Sequence, residues 1–460
     1  MIKVGHIRCP VVTFYTITQH FHYTHHELAM AIMKSIAIQL CALIVTLLTI
    51  TIDSVTADAT LTPILPPSYP LAVRNPYLSS KLPTLSIASF TPVRALPQFC
   101  FGLLLTLLPA WLPGNEVANL PSAVAQFWQG QQLTWSVIAR VDGKTYSLFG
   151  VPRPGDRIQP ASLVSADFSA THTTFTVTAS DVKFVLDFFS PVSPHNYVRQ
   201  SMPFSYLTVS TSSLKSGTPS VQIYSDMDNS WVGQFGDNIQ LDWKWDTTQE
   251  STQVFTLSQK GTAKFSENAD MALWGTAAYC TRENASKLSN AVGNVDEVRN
   301  SFAANGSLDG GGGFRPGSVF AYSHDLGSLE GTENVTFVIG NVRDPAINYH
   351  GVDRSNYWQS VCKDINCGCV YALDDLHAAD EESRNLDAYL AGAKVGSANH
   401  SDILVLSTRQ TFATLELTIP SDSLDTNSVL AFVKEISRFV FALEHHRSAQ
   451  NCLLPMLTFH

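Results

Sequence analysis

The sequence predicts a β-then-α chain: an antiparallel β-sandwich followed by helices. Two observations carry this. From Ala125 to about Thr336, short segments alternate apolar and polar residues, with turn residues between them. After "VTFVIGNVRDPAINYHG" the apolar period lengthens to that of a helix.

The β part is read segment by segment. "LTWSVIARVDGKTYSLFG" is a hairpin in which Asp142-Gly143 forms a two-residue turn. "TTFTVTASDVKFVLDFFS", "FSYLTVSTSS", "SVQIYSDMD" and "STQVFTLSQKGTAKFS" continue in the same style. Thr, Val, Phe and Tyr at period two fit strands with one wet face and one buried face. Strands in series without helices between them point to an antiparallel sandwich.

Three helices are expected next. "DDLHAADEESRNLDAYLAGAKV" places Leu376, Ala379, Leu386 and Leu390 on one face and opens on Asp374-Asp375. "SDILVLSTRQTFATLEL" is a second helix, capped by Ser401 or Asp402. "DTNSVLAFVKEIS" is a third, capped by Asp425 or Thr426. Beyond it, "RFVFALEHHRSAQNCLLPMLTFH" has no clear period.

With 460 residues, two domains are the starting expectation. Hydrophobic residues make up 45% and charged residues 15%, a balance that argues against disorder. Acidic residues outnumber basic ones 39 to 29, and Lys and Arg form no cluster, so a nucleic-acid or polybasic membrane role is excluded. Met33-Lys34-Ser35, the apolar run "IAIQLCALIVTLLTITI" and the small residues Ala57 and Ala59 read as a secretory signal peptide over 33–57. Residues 1–32 are then a spurious upstream segment. The His20, His22, His25 and His26 cluster within them is set aside as a metal site. A secreted glycoprotein, free of the membrane after signal cleavage, follows from the sequons at Asn284, Asn305, Asn334 and Asn399. Of eight cysteines, Cys280, Cys362, Cys367 and Cys369 lie in the trusted region and allow three pairings. Their spacing lacks the paired C-x-x-C arms of a zinc site, so disulfides are expected and no metal or other cofactor.

The linked motifs "PPSYPLAVRNPYLSS" with "WLPGN", "RQSMPFSYL", "DMALWGTAAYCT", "FAYSHDLG", "VIGNVRDPAINY" and "STRQTFATLELTIP" together resemble the secreted fungal glutaminase A family, in order as well as wording. The resemblance covers most of 62–437. It implies an N-terminal β-sandwich domain over 58–350 and the start of a central α/α-barrel-like helical domain over 351–437. It implies hydrolysis of L-glutamine to L-glutamate and ammonia, with glutamine as small-molecule partner. In the family, the text matching Ser80 runs almost directly into that matching Trp111. Residues 81–110 are therefore read as a retained intron, and Ser80-Lys81 can be encoded by AGT-AAG, which holds a donor-like GTAAG. After Ser437 the family-like text stops, so 438–460 is read as a non-native tail and the chain as a truncated gene product, inactive alone.

Amide hydrolysis needs a nucleophile or activated water, a proton donor for ammonia and donors to the oxyanion. A free amino acid also needs a cationic clamp for its carboxylate. The sequence has no G-x-S-x-G, H-E-x-x-H, P-loop or strand-linked G-x-G-x-x-G, and its catalytic residues are not assigned. Arg409 and Gln410 are the substrate-binding candidates, with Arg409 either clamping a carboxylate or pairing with Asp374 or Glu381. Arg343-Asp344-Pro345 either lines a junction pocket or fixes a turn, with the turn favoured. Tyr357-Trp358 is expected to pack between domains, and His324 and Asp325 to point to opposite faces. Two alternatives remain. A glycoside hydrolase would need paired carboxylates, but Asp380, Glu381 and Glu382 read as a solvated helix face. A non-catalytic carbohydrate-binding module would use exposed Trp128, Trp135, Trp231, Trp243 or Trp245, most of which are expected in the core.

Overall fold

The computed structural model describes residues 68–75, 78–83, 116–127, 131–233, 240–268, 271–283, 286–392 and 398–433. The upstream segment, the signal peptide, residues 84–110 of the proposed intron and the 438–460 tail lie outside them. The strand Leu78–Pro83 crosses Ser80-Lys81 unbroken, pairing Lys81 with Pro70 on one side and Gln126 on the other.

Two large sheets form the sandwich. One has eight strands, all antiparallel to their neighbours, in the order Leu241–Thr247, Thr252–Gln259, Thr276–Arg282, Glu333–Val342, Phe204–Ser213, Val182–Phe189, His172–Ala179, Ser162–Phe168. The other has seven, in the order Gly310–Gly311, Lys287–Asn294, Ser318–Ser328, Ser220–Met227, Trp135–Val141, Lys144–Phe149, Ile158–Pro160. The anticipated hairpin is present. Asp142 and Gly143 both take positive φ (47° and 80°), as a turn matched to strand twist requires.

Period-two alternation decides what each face of the eight-stranded sheet covers. Ala277, Tyr279, Phe337 and Ile339 point into the core between the sheets, with Trp135, Phe149, Phe188 and Phe320. Their neighbours Ala278, Cys280 and Val338 point outward into a second core, with Phe189, Phe204, Tyr206 and Trp358. Both faces of this sheet are therefore apolar, and the outer one needs a cover. The long helix Ile365–Gly392 supplies it.

Four α-helices are described: α1 (Tyr197–Ser201), α2 (Val295–Asn305), α3 (Ile365–Gly392) and α4 (Ala398–Thr414). α2 interrupts the expected unbroken run of strands. It packs Val298 and Phe302 on the outer face of the seven-stranded sheet, against Ile138, Tyr224 and Ala321. Its signals are Asn294, whose side chain caps the first turn, Asp296 and Glu297 in that turn, and Gly306 closing it at φ 75°.

The helical region departs from expectation in three ways. α3 begins at Ile365 rather than at Asp374, because the Asp364 carboxylate accepts the Cys367 N–H at 2.8 Å and caps the helix. α4 ends at Thr414, and Leu415–Pro420 is a strand. The third helix is absent from the described part of 425–437. Thr426–Ser428 is one 3₁₀ turn, and Leu430–Val433 pairs antiparallel with Leu415–Pro420, with Phe432 buried beside Ala346 and Ile347. The apolar run "VLAFV" satisfies a short strand as well as a helix, and the free edge of Leu415–Pro420 selects the strand. The described residues thus show a β-sandwich followed by two long helices and a return to sheet. No helix among them is long and apolar enough to cross a membrane.

Candidate functional site

An open cleft of about 420 Å³ lies where the eight-stranded sheet meets the start of α3. Lys244 comes from the edge strand, Thr276 from the start of a central strand, and Val342 and Asp344 from the end of the strand Glu333–Val342. The opposite wall holds Trp358 and Gln359 from a 3₁₀ turn, then Lys363, Asp364, Ile365 and Asn366. A disulfide between Cys362 and Cys367 closes the loop carrying the last four, so all its interior residues face the cleft. This bond resolves the zinc-or-disulfide question for that pair.

Short polar bonds hold the rim. Asn366 Nδ2 donates to Asp246 at 2.9 Å, and Lys244 Nζ bonds the same oxygen at 2.7 Å. Asp344 accepts from Ser355 Oγ at 2.6 Å, and Trp274 Nε1 donates to the Pro345 carbonyl at 2.9 Å. Two ammonium groups and two carboxylates therefore flank one notch. That set can oppose both ends of a zwitterion.

Arg343-Asp344-Pro345 combines both readings offered for it. Asp344 lines the cleft, whereas Arg343 is buried, ion-paired with Glu416 and bonded to the Ala346 carbonyl at 3.2 Å. Trp358 is fully buried against Phe204. Tyr357 packs edge-on against Tyr197.

The structure places Arg409 and Gln410 away from this cleft. Arg409 is buried, and its guanidinium donates to the Thr171 carbonyl (2.7 Å), Thr173 Oγ1 (2.9 Å) and the His172 carbonyl (3.4 Å). Burial pulls its pKa down to about 10, partly offset by Asp387 and Asp187. These bonds fasten α4 to the sandwich, and Arg409 bonds neither Asp374 nor Glu381. Gln410, next along the helix, is exposed.

The carboxylates of α3 are not a solvated face. Asp375 and Glu382 clasp Arg199 of α1, with Asp375 bidentate at 2.5 and 2.7 Å. Asp374 pairs with Arg282 at 2.6 Å. Asp380 lies 3.4 Å from His172 Nε2, while His172 Nδ1 donates to Asp187 at 2.9 Å. Of Asp380, Glu381 and Glu382, expected together as a solvated face, only Glu381 is exposed.

His172, Asp187 and Asp380 are the one grouping among the described residues close enough to share a metal ion. The Arg384 guanidinium bonds both carboxylates, to Asp380 at 2.9 Å and Asp187 at 3.2 Å, and supplies the positive charge itself. The imidazole is stacked on Phe189 and covered by α3, which leaves no room for a substrate. This is a clamp between helix and sheet.

His324 and Asp325 diverge as alternation requires. Asp325 accepts from Gln222. Thr281 Oγ1 donates to the Thr336 carbonyl, so His324 Nε2–H must donate to Thr281 (2.9 Å) while Nδ1 accepts from Ser286 (2.8 Å). Burial holds this imidazole neutral, with its pKa lowered to about 3. A depressed histidine gives stability that is complete above its unfolded pKa of about 6.5 and is lost as pH falls toward 3. From this residue, unfolding free energy at pH 4.5 is expected to fall roughly 2–3 kcal/mol below its value at pH 7. His324→Gln should flatten that slope, and urea titrations at both pH values read it. Equal slopes would contradict the buried neutral state.

Of the tryptophans considered for sugar stacking, Trp135 and Trp231 lie in the core and Trp128 lies outside the described residues. Trp243 and Trp245 are 37% and 44% exposed on the edge strand. Asn305 and Asn334 are exposed. Asn284 and the Asn399 side chain lie outside the described residues.

The sequence pointed to Asp344 and Trp358 but missed Lys244, Lys363 and Asn366. The close cysteine pair flanking Lys363 to Asn366 was the available signal.

A family described as a domain of unknown function (DUF5127) matches residues 171–393, which hold seven strands of the eight-stranded sheet, the cleft and α3. The chain is 29% identical to "Glutaminase A" of Aspergillus oryzae over 397 residues, covering 83% of this chain and 52% of that protein. It is 27% identical to "Probable glutaminase" of Arthroderma benhamiae over 417 residues, covering 81% of this chain and 43% of that protein. The chain thus spans about half the length of these curated relatives. By the ordered motifs and these two matches, the chain is similar to the fungal glutaminase A-like proteins.

Proposed function

We propose that this chain supplies the sandwich and first helices of a secreted glutaminase-like amidohydrolase, which converts L-glutamine and water to L-glutamate and ammonia. The observation that carries this reading is the relatedness to glutaminase A along 83% of the chain. The cleft agrees with it in chemistry. Lys244 and Lys363 suit an α-carboxylate, and Asp344 and Asp364 suit an α-ammonium.

Among the cleft-lining residues, Thr276 is the only hydroxyl, and no thiol or imidazole joins it. Binding groups are therefore better represented than a nucleophile and base. Because the curated relatives extend well beyond the matched part, we assign the reacting groups to that further sequence, and the present chain to a role without turnover of its own.

The test is ammonia release from L-glutamine by two proteins: the 460-residue chain, and the product of a complete transcript read across codons 33 to 437 and onward. Release by the longer product alone is expected. Release by the shorter chain would place the catalytic groups within it, and release by neither would remove the glutaminase reading.

A further inference from the structure

We propose that Cys280 and Cys369 are the two halves of a second disulfide, one that ties α3 covalently to the eight-stranded sheet. Alternation along Thr276–Arg282 sends Cys280 out of the inter-sheet core, toward the helix. Cys369 sits near the start of α3 and points down into the same apolar cluster, among Phe204, Val338 and Trp358. Both are fully buried. The Cys369 thiol is among the groups that raise the pKa of the Cys280 thiol.

Gly368 makes the approach possible. A Cβ there would lie 3.0 Å from both the Phe204 and Trp358 rings, so the helix backbone is seated directly on the sheet's aromatic cover. A larger residue would lift the helix at the turn that presents Cys369. With Cys362 joined to Cys367, these two are the free thiols among the described residues. The three pairings open in the sequence thereby reduce to one.

The chemistry is thiol–disulfide exchange with a small-molecule or protein disulfide as oxidant. One cysteine thiolate attacks the oxidant, forming a mixed disulfide and releasing one thiolate. The second cysteine thiolate then attacks the protein sulfur of that mixed disulfide, closing the Cys280–Cys369 bond and releasing the second thiolate. The oxidant gains two electrons, and the two cysteine protons end on its two thiols. Burial, together with the Cys369 thiol, holds the Cys280 thiol well above the ordinary cysteine range. Thiolate is therefore scarce once α3 has docked, which places the reaction during folding rather than after it.

The experiment is tryptic mapping of the full chain, folded in a glutathione redox buffer, then denatured and alkylated without reduction. Fragments 265–282, 355–363 and 364–384, which hold the four cysteines, should travel as one mass that separates on reduction. In the Cys362→Ser/Cys367→Ser variant, 265–282 should remain linked to 364–384, a link that only Cys369 can make. Reducing the wild-type protein should lower its melting temperature by roughly 5–10 °C, as expected for closing a long loop. Alkylated Cys280 and Cys369 in the unreduced wild type would overturn the proposal. So would a link from Cys280 to Cys362 or Cys367.

Discussion

Arg199→Ala is expected to loosen α3 from the sandwich and to lower the unfolding free energy by about 3–4 kcal/mol. The Arg199 side chain is nearly enclosed between α1 and α3, and all three of its guanidinium nitrogens meet carboxylates of α3. Asp375 is mostly buried, so removing its partner leaves a charge that water cannot fully solvate. Glu382 is about one-third exposed, and its share of the loss is smaller because water screens it. The α1 backbone stays anchored, since the Arg199 and Gln200 carbonyls accept from buried Arg74. Urea midpoints should fall, and amide exchange should accelerate in α3 before it does in the sheets. A triple change of Arg199 to Met with Asp375 and Glu382 to Leu should recover most of the loss, because an all-apolar seam has no charge to desolvate. If Arg199→Ala alone leaves the midpoint unchanged, α3 is held by its apolar face and not by this clasp.

Asp226→Ala should cost about 4 kcal/mol, at the opposite side of the molecule. Asp226 is wholly buried and accepts four bonds: from Ser136 Oγ (2.7 Å), Tyr224 OH (2.7 Å), and Arg299 Nε (2.8 Å) and Nη2 (3.1 Å). Truncation strands the Arg299 guanidinium between α2 and the seven-stranded sheet, with two hydroxyls left unpaired. Asp226→Asn keeps the acceptor oxygen but loses the charge, so it should lose roughly half as much. The expected signature is early amide exchange in α2, with α3 and the cleft unaffected. Faster exchange in α3 instead would show that the two faces of the sandwich are coupled.

What the sequence revealed was local, and what it hid was distant. Asp142-Gly143 specifies its own hairpin, and alternating residues such as Ala278, Tyr279 and Cys280 declare two opposed faces. Ala379 and Leu390 mark the buried stripe of α3. The partner of a charge has no such marker. Arg199 is 176 residues from Asp375, and Lys244 reaches the cleft from a strand more than 100 residues before Lys363. Spacing therefore makes Asp380, Glu381 and Glu382 look like a wet face, although Arg199 of α1 meets Glu382, and His172 of the sandwich and Arg384 of the same helix meet Asp380. In sequence, Arg409 stands as an arginine in a polar stretch. Its actual partners are carbonyls and a hydroxyl near residue 172, which no local pattern could announce. The short strand Leu430–Val433 shows the same limit, since its apolar run has no period long enough to separate strand from helix until a neighbouring edge is present.

Glutaminase activity is tested most directly by the stoichiometry of ammonia and glutamate formed from L-glutamine by the product of the complete transcript. Equal amounts of the two, with none from substrate incubated without protein or with the 460-residue chain alone, is the result predicted. Absence of both products from the complete protein, or sugar release from a glycan in their place, would contradict it.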